Sequence, residues 1–268
     1  YCAHLAKKLG LRVMLYANGI GPITKPGNRR LAKKLLDRAD CITLRDPDSL
    51  GMLGELGVEN KNVELTADPA FDLEVKNDAI ADEIMSEFGI HEPFACISVR
   101  SLCTDVKGGK TVPEALAEFA DTLQNSYGVL PVFVAMQYSK DRAATLDVLS
   151  KMKTRGVFVD RAADAQTILG IISKSECVVA LRLHMLIFGV VSGKPVFGIE
   201  YDPKVKSFSS VVGNRYSITP KELSDGKYEA VLGVQQGVFV GVLELRKLAR
   251  KNAELAKKLI TCGEEHTS

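Results

Sequence analysis

Apolar positions along the chain fall into two kinds of segment that follow each other in turn. Short, continuous apolar runs of strand type alternate with segments whose apolar residues recur every three or four positions, as in helices. The strands are predicted at 11–17, 41–44, 62–65, 94–99, 130–136, 157–159, 177–181 and 195–199. The helices are predicted at 1–10, 31–39, 49–56, 112–127, 141–153, 163–173, 185–191 and 238–260. This alternation predicts an α/β protein with parallel, doubly wound sheets.

The alternation is interrupted once, which predicts two domains. Residues 77–92 carry charge and little strand pattern, and we interpret them as a linker. Residues 1–76 then form one Rossmann-like domain and residues 93–237 a second, whose last part, from residue 203, is less regular. Residues 238–268 are expected to add a C-terminal helix with a basic, solvated face.

One strand–helix–strand stretch combines a βαβ pattern with a concentration of polar residues. Arg182 and His184 follow its first strand, and Tyr201, Asp202 and Lys204 follow its second. Because ligands of open α/β sheets bind outside the carboxyl ends of the strands, these cations and the helix N-termini suit an anion. From the residues alone, two other readings stay open: Arg182 as a surface residue and His184 as a packed or capping group.

Composition and charge argue against several classes of function. The 268 residues are 46% hydrophobic and 25% charged, with a net charge of +2, which argues against a nucleic-acid backbone binder. The histidines have no metal-ligand spacing and the six cysteines no CxxC pair, so no metal or disulfide framework is predicted. Cys41, Cys96 and Cys177 lie in or beside predicted strands and are expected to be buried thiols in a reducing compartment.

The ends of the chain and its longest apolar runs carry little targeting information. No run approaches the length that crosses a bilayer, and no signal peptide is recognisable. The sequence opens inside an amphipathic helix without a Met, which predicts that the chain is truncated.

The central stretch also resembles the signature of a known family, the polysaccharide pyruvyl transferases. The resemblance extends to the predicted N-terminal domain. The matching segments are Arg182-Leu183-His184, Gly193-Lys194-Pro195, Gly198-Ile199, 201–205, 19–22, Arg45-Asp46 with Ser49, and 67–70. The resemblance implies two Rossmann-like domains facing a cleft, as in the glycosyltransferase-B type fold. It also implies that the N-terminal domain is incomplete here, because the family's Gly-rich opening loop does not appear.

The resemblance implies an activity as well. Similar proteins transfer pyruvate from phosphoenolpyruvate to two hydroxyls of one sugar, forming a cyclic ketal and releasing phosphate. They use phosphoenolpyruvate as donor substrate and no cofactor. The implied acceptor is a lipid-linked saccharide of a cell-wall or surface polysaccharide, as in S-layer anchoring. The enzyme would meet this acceptor in the cytoplasm, at the inner face of the membrane. The basic helices at 29–38 and 246–258 either make peripheral contact with the membrane or simply present solvated faces.

Site roles follow from the donor's chemistry. Phosphoenolpyruvate carries a carboxylate and a phosphate, which the planar fork of Arg binds well. Histidine side chains ordinarily titrate near neutrality and can act as acid or base, and His184 is the predicted proton-transfer group. For Arg100 a salt bridge with Asp105 remains the alternative. The predicted donor-binding residues are Arg100, Arg182, Leu183 and Lys204.

Four further residues are weaker candidates for substrate binding. Gly19 and Gly21 allow a close backbone approach to a ligand or simply a tight turn. Gln137 follows a predicted strand. Tyr201 either packs against the donor or supports its strand end.

Two other functions remain open from sequence. A nucleotide-sugar glycosyltransferase of the same fold would use Glu200 or Asp202 to bind a ribose. A non-catalytic carbohydrate-binding or scaffold module would use the fold without the chemistry. Thermal stabilisation by phosphoenolpyruvate would favour the pyruvyl transferase, stabilisation by nucleotide-sugars the glycosyltransferase, and stabilisation by neither the non-catalytic module.

Overall fold

The chain forms two compact α/β units. The computed structural model describes residues 2–75, 79–101, 109–213, 216–228, 239 and 241–261. The first unit comprises Tyr1–Leu73 together with Gly241–Ser268, and the second comprises Glu74–Val240. The first unit is therefore discontinuous in sequence, whereas the second is continuous.

The first unit contains a parallel sheet with the strand order β1-β2-β3. Its strands are β1 Met14–Asn18, β2 Cys41–Leu44 and β3 Val63–Leu65. Its helices are α1 Cys2–Lys8, α2 Pro26–Leu36, α3 Pro47–Leu56, a 3-10 helix Pro69–Asp72 and, after the second unit, α11 Val242–Thr261. Ile42 and Leu44 of β2 are fully buried and form the centre of the core with Leu36 and Leu53 of α2 and α3.

Helix α11 is tied to the first unit by a buried polar side chain. Asn252 is fully buried and donates hydrogen bonds to the carbonyl oxygens of Ala67 and Ala249, both 3.0 Å long. It also accepts a hydrogen bond of 2.9 Å from the Thr66 hydroxyl. A buried amide with all of these partners specifies how the helix packs.

The second unit contains a parallel sheet with the order β6-β5-β4-β7-β8-β9. Its strands are β4 Phe94–Ser98, β5 Leu130–Val134, β6 Val157–Val159, β7 Cys177–Ala180, β8 Val196–Ile199 and β9 Ser217–Ile218. Its helices are α4 Ala79–Glu87, α5 Val112–Tyr127, α6 Tyr138–Leu149, α7 Ala165–Ser173, α8 Leu183–Val191, α9 Pro203–Val211 and α10 Pro220–Ser224. Every residue of β4 and β5 is buried, as expected for a parallel sheet covered on both faces.

Glycine residues let helix α8 lie close to this sheet. A Cβ on Gly189 would stand 2.5 Å from Cγ1 of Val196 and 3.0 Å from Cγ2 of Val178. A Cβ on Gly198 of β8 would stand 3.0 Å from Cγ1 of Val205 in α9. The helices that follow β7 and β8 are thereby held near the carboxyl edge of the sheet.

The predicted linker at 77–92 is largely part of the second unit. It contains α4, in which Ala81 and Ile84 are buried. Asp82 pairs with Lys174, and Glu87 pairs with Arg161 at 3.1 Å. The irregular segment after residue 203 also contains α9, β9 and α10. No helix in the described ranges is both long and apolar enough to cross a membrane.

Candidate functional site

The carboxyl edge of the second sheet gathers the site residues that were predicted in the second domain. Strands β5, β4, β7 and β8 are consecutive neighbours and all parallel, so their carboxyl ends meet at one edge. Arg100 follows β4, and Gln137 is the N-cap of α6 after β5. Arg182 is the N-cap of α8 after β7, and Tyr201 follows β8. Arg100, Arg182 and Tyr201 thus lie at the strand ends where the sequence pattern placed them, and their role in ligand binding stays a prediction.

Arg100 and Tyr201 contact each other across this edge. Nη1 of Arg100 donates a hydrogen bond of 2.6 Å to the Tyr201 hydroxyl, and the guanidinium carbon lies 5.2 Å from the ring centroid. The ring itself packs against the buried core of the unit. Tyr201 thus anchors an otherwise exposed arginine. Asp105, the alternative partner of Arg100, lies outside the described residues.

Arg182 is paired with a carboxylate that the sequence did not single out. Its Nε donates to both oxygens of Asp141, at 3.1 and 3.2 Å, and its Nη2 contacts the same carboxylate. Asp141 lies in the first turn of α6 and is 0% exposed, whereas the Arg182 side chain is 17% exposed. The charge of Arg182 is therefore compensated from within the fold.

The first turns of α8 and α9 present the other predicted residues. Leu183 and His184 open α8; the leucine is half-buried and the histidine exposed. Lys204 is exposed in the first turn of α9, and its backbone N–H donates to Asp202 Oδ1 at 2.9 Å. Helix N-termini carry unpaired N–H groups and a partial positive charge, so this edge favours an anion.

The two acidic candidates of the glycosyltransferase alternative are already engaged. Glu200 accepts a hydrogen bond from the Ser217 hydroxyl. Asp202 is the N-cap of α9, where it accepts the Lys204 N–H. Both carboxylates therefore have local structural partners.

A cavity of about 580 Å³ adjoins Arg100. The end of β4, the first turn of α5 and one side of α6 line it, so it opens directly beside the carboxyl edge. Its volume falls in the range of small-molecule sites. The lining side chains include Thr111 and Glu114 of α5 and Asp147 and Lys151, on α6 and just after it.

Gly19 and Gly21 lie in the first unit, after β1. A Cβ on Gly19 would stand 2.9 Å from Nε of Arg45, which pairs with Asp68 at 2.8 Å. Gly21 has a φ of +112°, a conformation that favours glycine. Backbone conformation therefore explains Gly21, whereas the three nearest neighbours of a Gly19 Cβ all belong to the long Arg45 side chain. The role of both glycines in ligand binding stays a prediction.

The same loop is bonded to helix α3. The Ile20 N–H donates to Ser49 Oγ at 2.7 Å, and this hydroxyl donates to Asp46 Oδ1 at 2.7 Å. Asp46 also caps α3 by accepting the Ser49 N–H at 2.8 Å. The Arg45-Asp46 and Ser49 motif thus fixes the loop that follows β1.

A second Asp–Arg pair lies at the end of β6. Arg142 donates two hydrogen bonds to Asp160, of 2.8 and 2.7 Å, and these hold the pKa of that carboxyl below its usual value. Tyr138 donates a third, of 2.9 Å. Unlike the pair of Arg182 with Asp141, this one is largely exposed, with side-chain exposures of 46% and 32%.

The three cysteines predicted to be buried thiols differ in their burial. Cys96 is fully buried, which raises its pKa, and Cys41 and Cys177 are partly buried. Within the described ranges, no three His, Cys, Asp or Glu side chains are grouped to hold a metal ion.

Comparisons with known proteins bear on both family and fold. Residues 1–203 match the family model for polysaccharide pyruvyl transferase. No curated protein matches the sequence significantly. Among solved structures, the UDP-GlcNAc 2-epimerase of Methanocaldococcus jannaschii has a TM-score of 0.67 at 14% identity, covering 96% of this chain and 73% of its own.

Two further structures are similar to the chain. The UDP-GlcNAc 2-epimerase of Neisseria meningitidis bound to UDP-GlcNAc has a TM-score of 0.66 at 13% identity, covering 96% of this chain and 72% of its own. Anabaena Alr3699/HepE in complex with UDP and glucose has a TM-score of 0.60 at 15% identity, covering 97% and 74%. At these identities the likeness concerns the fold alone. It confirms the predicted Rossmann-like α/β fold of glycosyltransferase-B type.

Proposed function

The chain belongs to the polysaccharide pyruvyl transferase family, and we propose that it transfers pyruvate from phosphoenolpyruvate to two hydroxyls of one sugar. The observation that carries the proposal is the anion-favouring carboxyl edge of the second sheet, where Arg100 and Arg182 follow neighbouring strands. Helix N-termini and Lys204 add positive potential at the same edge.

The reaction sets defined tasks for the residues of this edge. Carbon 3 of the enol gains a proton, and carbon 2 forms bonds to two sugar oxygens while its bond to the phosphate oxygen breaks. One hydroxyl proton balances the new methyl group, and the other leaves with phosphate. We assign donor binding to Arg100 and Arg182, with Leu183 and Lys204 beside them, and proton transfer to His184.

The acceptor we propose is a saccharide precursor of a cell-wall or surface polysaccharide, carried on a lipid. Phosphoenolpyruvate is a metabolite of the cell interior, so we propose that the reaction takes place in the cytoplasm at the membrane face. The donor is a substrate, and the scheme calls for no cofactor or metal.

A thermal-shift titration with phosphoenolpyruvate tests the donor and its site together. A ligand that binds only the folded state raises stability, by about 2.7 kcal/mol at 100 times its dissociation constant. We expect the rise with the unaltered protein and its loss in Arg182→Ala. Arg142→Ala is the matched control, because Arg142 also pairs with an aspartate at this sheet but at the end of β6; it should keep the rise.

Nucleotide-sugars in the same titration test the alternatives. Stabilisation by UDP-GlcNAc but not by phosphoenolpyruvate would support a glycosyltransferase and overturn the proposal. Stabilisation by neither ligand would also count against it and would favour a non-catalytic module.

A further inference from the structure

Asp141 is a charged group at the carboxyl edge that is completely buried among the described residues, and the proposed chemistry does not use it. Its side chain is 0% exposed. One oxygen accepts from Nε and Nη2 of Arg182, and the other accepts from Nε and from the Gln137 N–H, the latter at 2.8 Å. A single carboxylate therefore holds two of the residues predicted for the site. These two follow β5 and β7, the strands on either side of β4.

The contacts leave one edge of the Arg182 guanidinium open. A guanidinium has five N–H groups in a rigid plane, and Asp141 occupies the edge formed by Nε and Nη2. Within the described part of the chain, Nη1 of Arg182 has no hydrogen-bond partner. The edge formed by Nη1 and Nη2 thus retains two parallel donors, the arrangement that binds a carboxylate or phosphate bidentately.

We infer that Asp141 is a positioning residue for the anion site: it holds the Arg182 plane so that the second edge of the fork receives the donor. The inference rests on the proposed function. A long arginine side chain has many rotamers, and ordering it during binding would weaken affinity. The buried carboxylate orders it before the ligand arrives. It also compensates the charge of an arginine whose side chain is only 17% exposed.

A purely structural role predicts something different. If the ion pair only joined α6 to α8, losing it would lower stability, and any effect on donor binding would not depend on whether residue 182 has a planar fork. If Asp141 orients the fork, its effect on binding disappears when the fork is replaced by an ammonium, which has no plane to orient.

A double-mutant cycle separates these roles. The dissociation constant of phosphoenolpyruvate is measured for the unaltered protein, Asp141→Asn, Arg182→Lys and the double variant, each well below its own unfolding temperature. We expect Asp141→Asn to weaken binding about tenfold or more in the unaltered protein and less than about threefold in Arg182→Lys. Asp160→Asn, which removes the charge of the exposed pair with Arg142, should leave binding unchanged.

The outcomes are distinct. Equal losses in both backgrounds, or no loss in either, would overturn the positioning role while the proposed function stands. No binding of phosphoenolpyruvate to the unaltered protein would overturn the proposed function and this inference with it. If Asp141→Asn does not fold, Asp141→Glu takes its place: it keeps the charge but displaces the fork by one methylene. It should weaken binding in the unaltered protein and much less in Arg182→Lys.

Discussion

At the residue scale, the two arginines of the proposed donor site are each held by another side chain of the protein. Arg100 lies against the Tyr201 ring, and Arg182 is fixed by Asp141. The positions of both arginines followed from the sequence, because polar residues directly after apolar strands mark the ligand edge of a parallel sheet. The pairing of Asp141 with Arg182 could not be predicted from the sequence. An acidic residue in the first turn of a helix is common, and an ion pair between residues that follow different strands leaves no local sequence pattern.

The catalytic assignment of His184 has its own test at this scale. His184 is exposed in the first turn of α8, beside the proposed donor site. We expect His184→Asn to lower turnover about 100-fold, since proton transfer by a positioned group contributes that much, with donor binding kept. His91→Asn, at an exposed position elsewhere in the second unit, is the control. Turnover of His184→Asn close to that of the control would show that the histidine only organises the helix start.

At the element scale, the start, end and packing of each helix depend on capping residues and on small residues. Some helices could be recognised from the sequence and others could not. Helix α5 was predicted with its observed bounds. In the structure Thr111 and Glu114 form a capping box at its start, and Gly128 ends it in the left-handed conformation. Helix α4 was read as part of a linker, although Ala81 and Ile84 keep helical spacing. Its charged residues masked that signal, and they pair with partners distant in sequence, such as Lys174.

Replacing a helical glycine by alanine raises or lowers the free energy of unfolding according to the space around the added methyl group. Gly189→Ala would place a methyl group 2.5 Å from a Val196 carbon, so we expect the free energy of unfolding to fall by about 1–3 kcal/mol. Gly51 of α3 has no heavy atom within 4 Å of the same position. Gly51→Ala should therefore raise the free energy of unfolding by up to about 1 kcal/mol, because alanine is the better helix former. Urea denaturation measures both, and a stabilising Gly189→Ala would contradict the packing described for α8.

At the scale of the whole molecule, the main surprise is the discontinuity of the first unit. Two domains and a terminal helix were predicted from the break in the alternation. The terminal helix was predicted as a segment of its own, assigned to neither domain, whereas α11 belongs to the first unit, where Asn252 bonds to Thr66 and Ala67. Its amphipathic spacing predicted a buried face, yet spacing alone does not identify the surface that covers that face.

The hydrogen bonds of Asn252 in α11 can be tested by measuring their effect on the stability of each unit separately. Asn252→Ala leaves the buried Thr66 hydroxyl and Ala67 carbonyl without these partners, so we expect a loss of about 2–3 kcal/mol in the first unit. Hydrogen exchange read by mass spectrometry should show faster exchange in β2 and β3 and unchanged exchange in β4 and β5. Glu254→Ala, at an exposed position on the same helix, should change neither set. Equal loss of protection in both units would contradict the assignment of α11.

The discontinuous first unit has a consequence for the order in which the protein is made. Residues 241–261 leave the ribosome only after residues 74–240, so the second unit is complete as a nascent chain while the first still lacks its closing helix. N-terminal domains usually fold first during synthesis. Here we expect the second unit to complete its structure before the first. Until α11 arrives, Thr66 and Ala67 lack their bonds to Asn252, and pulse proteolysis of stalled ribosome complexes should detect a protected second unit before a protected first.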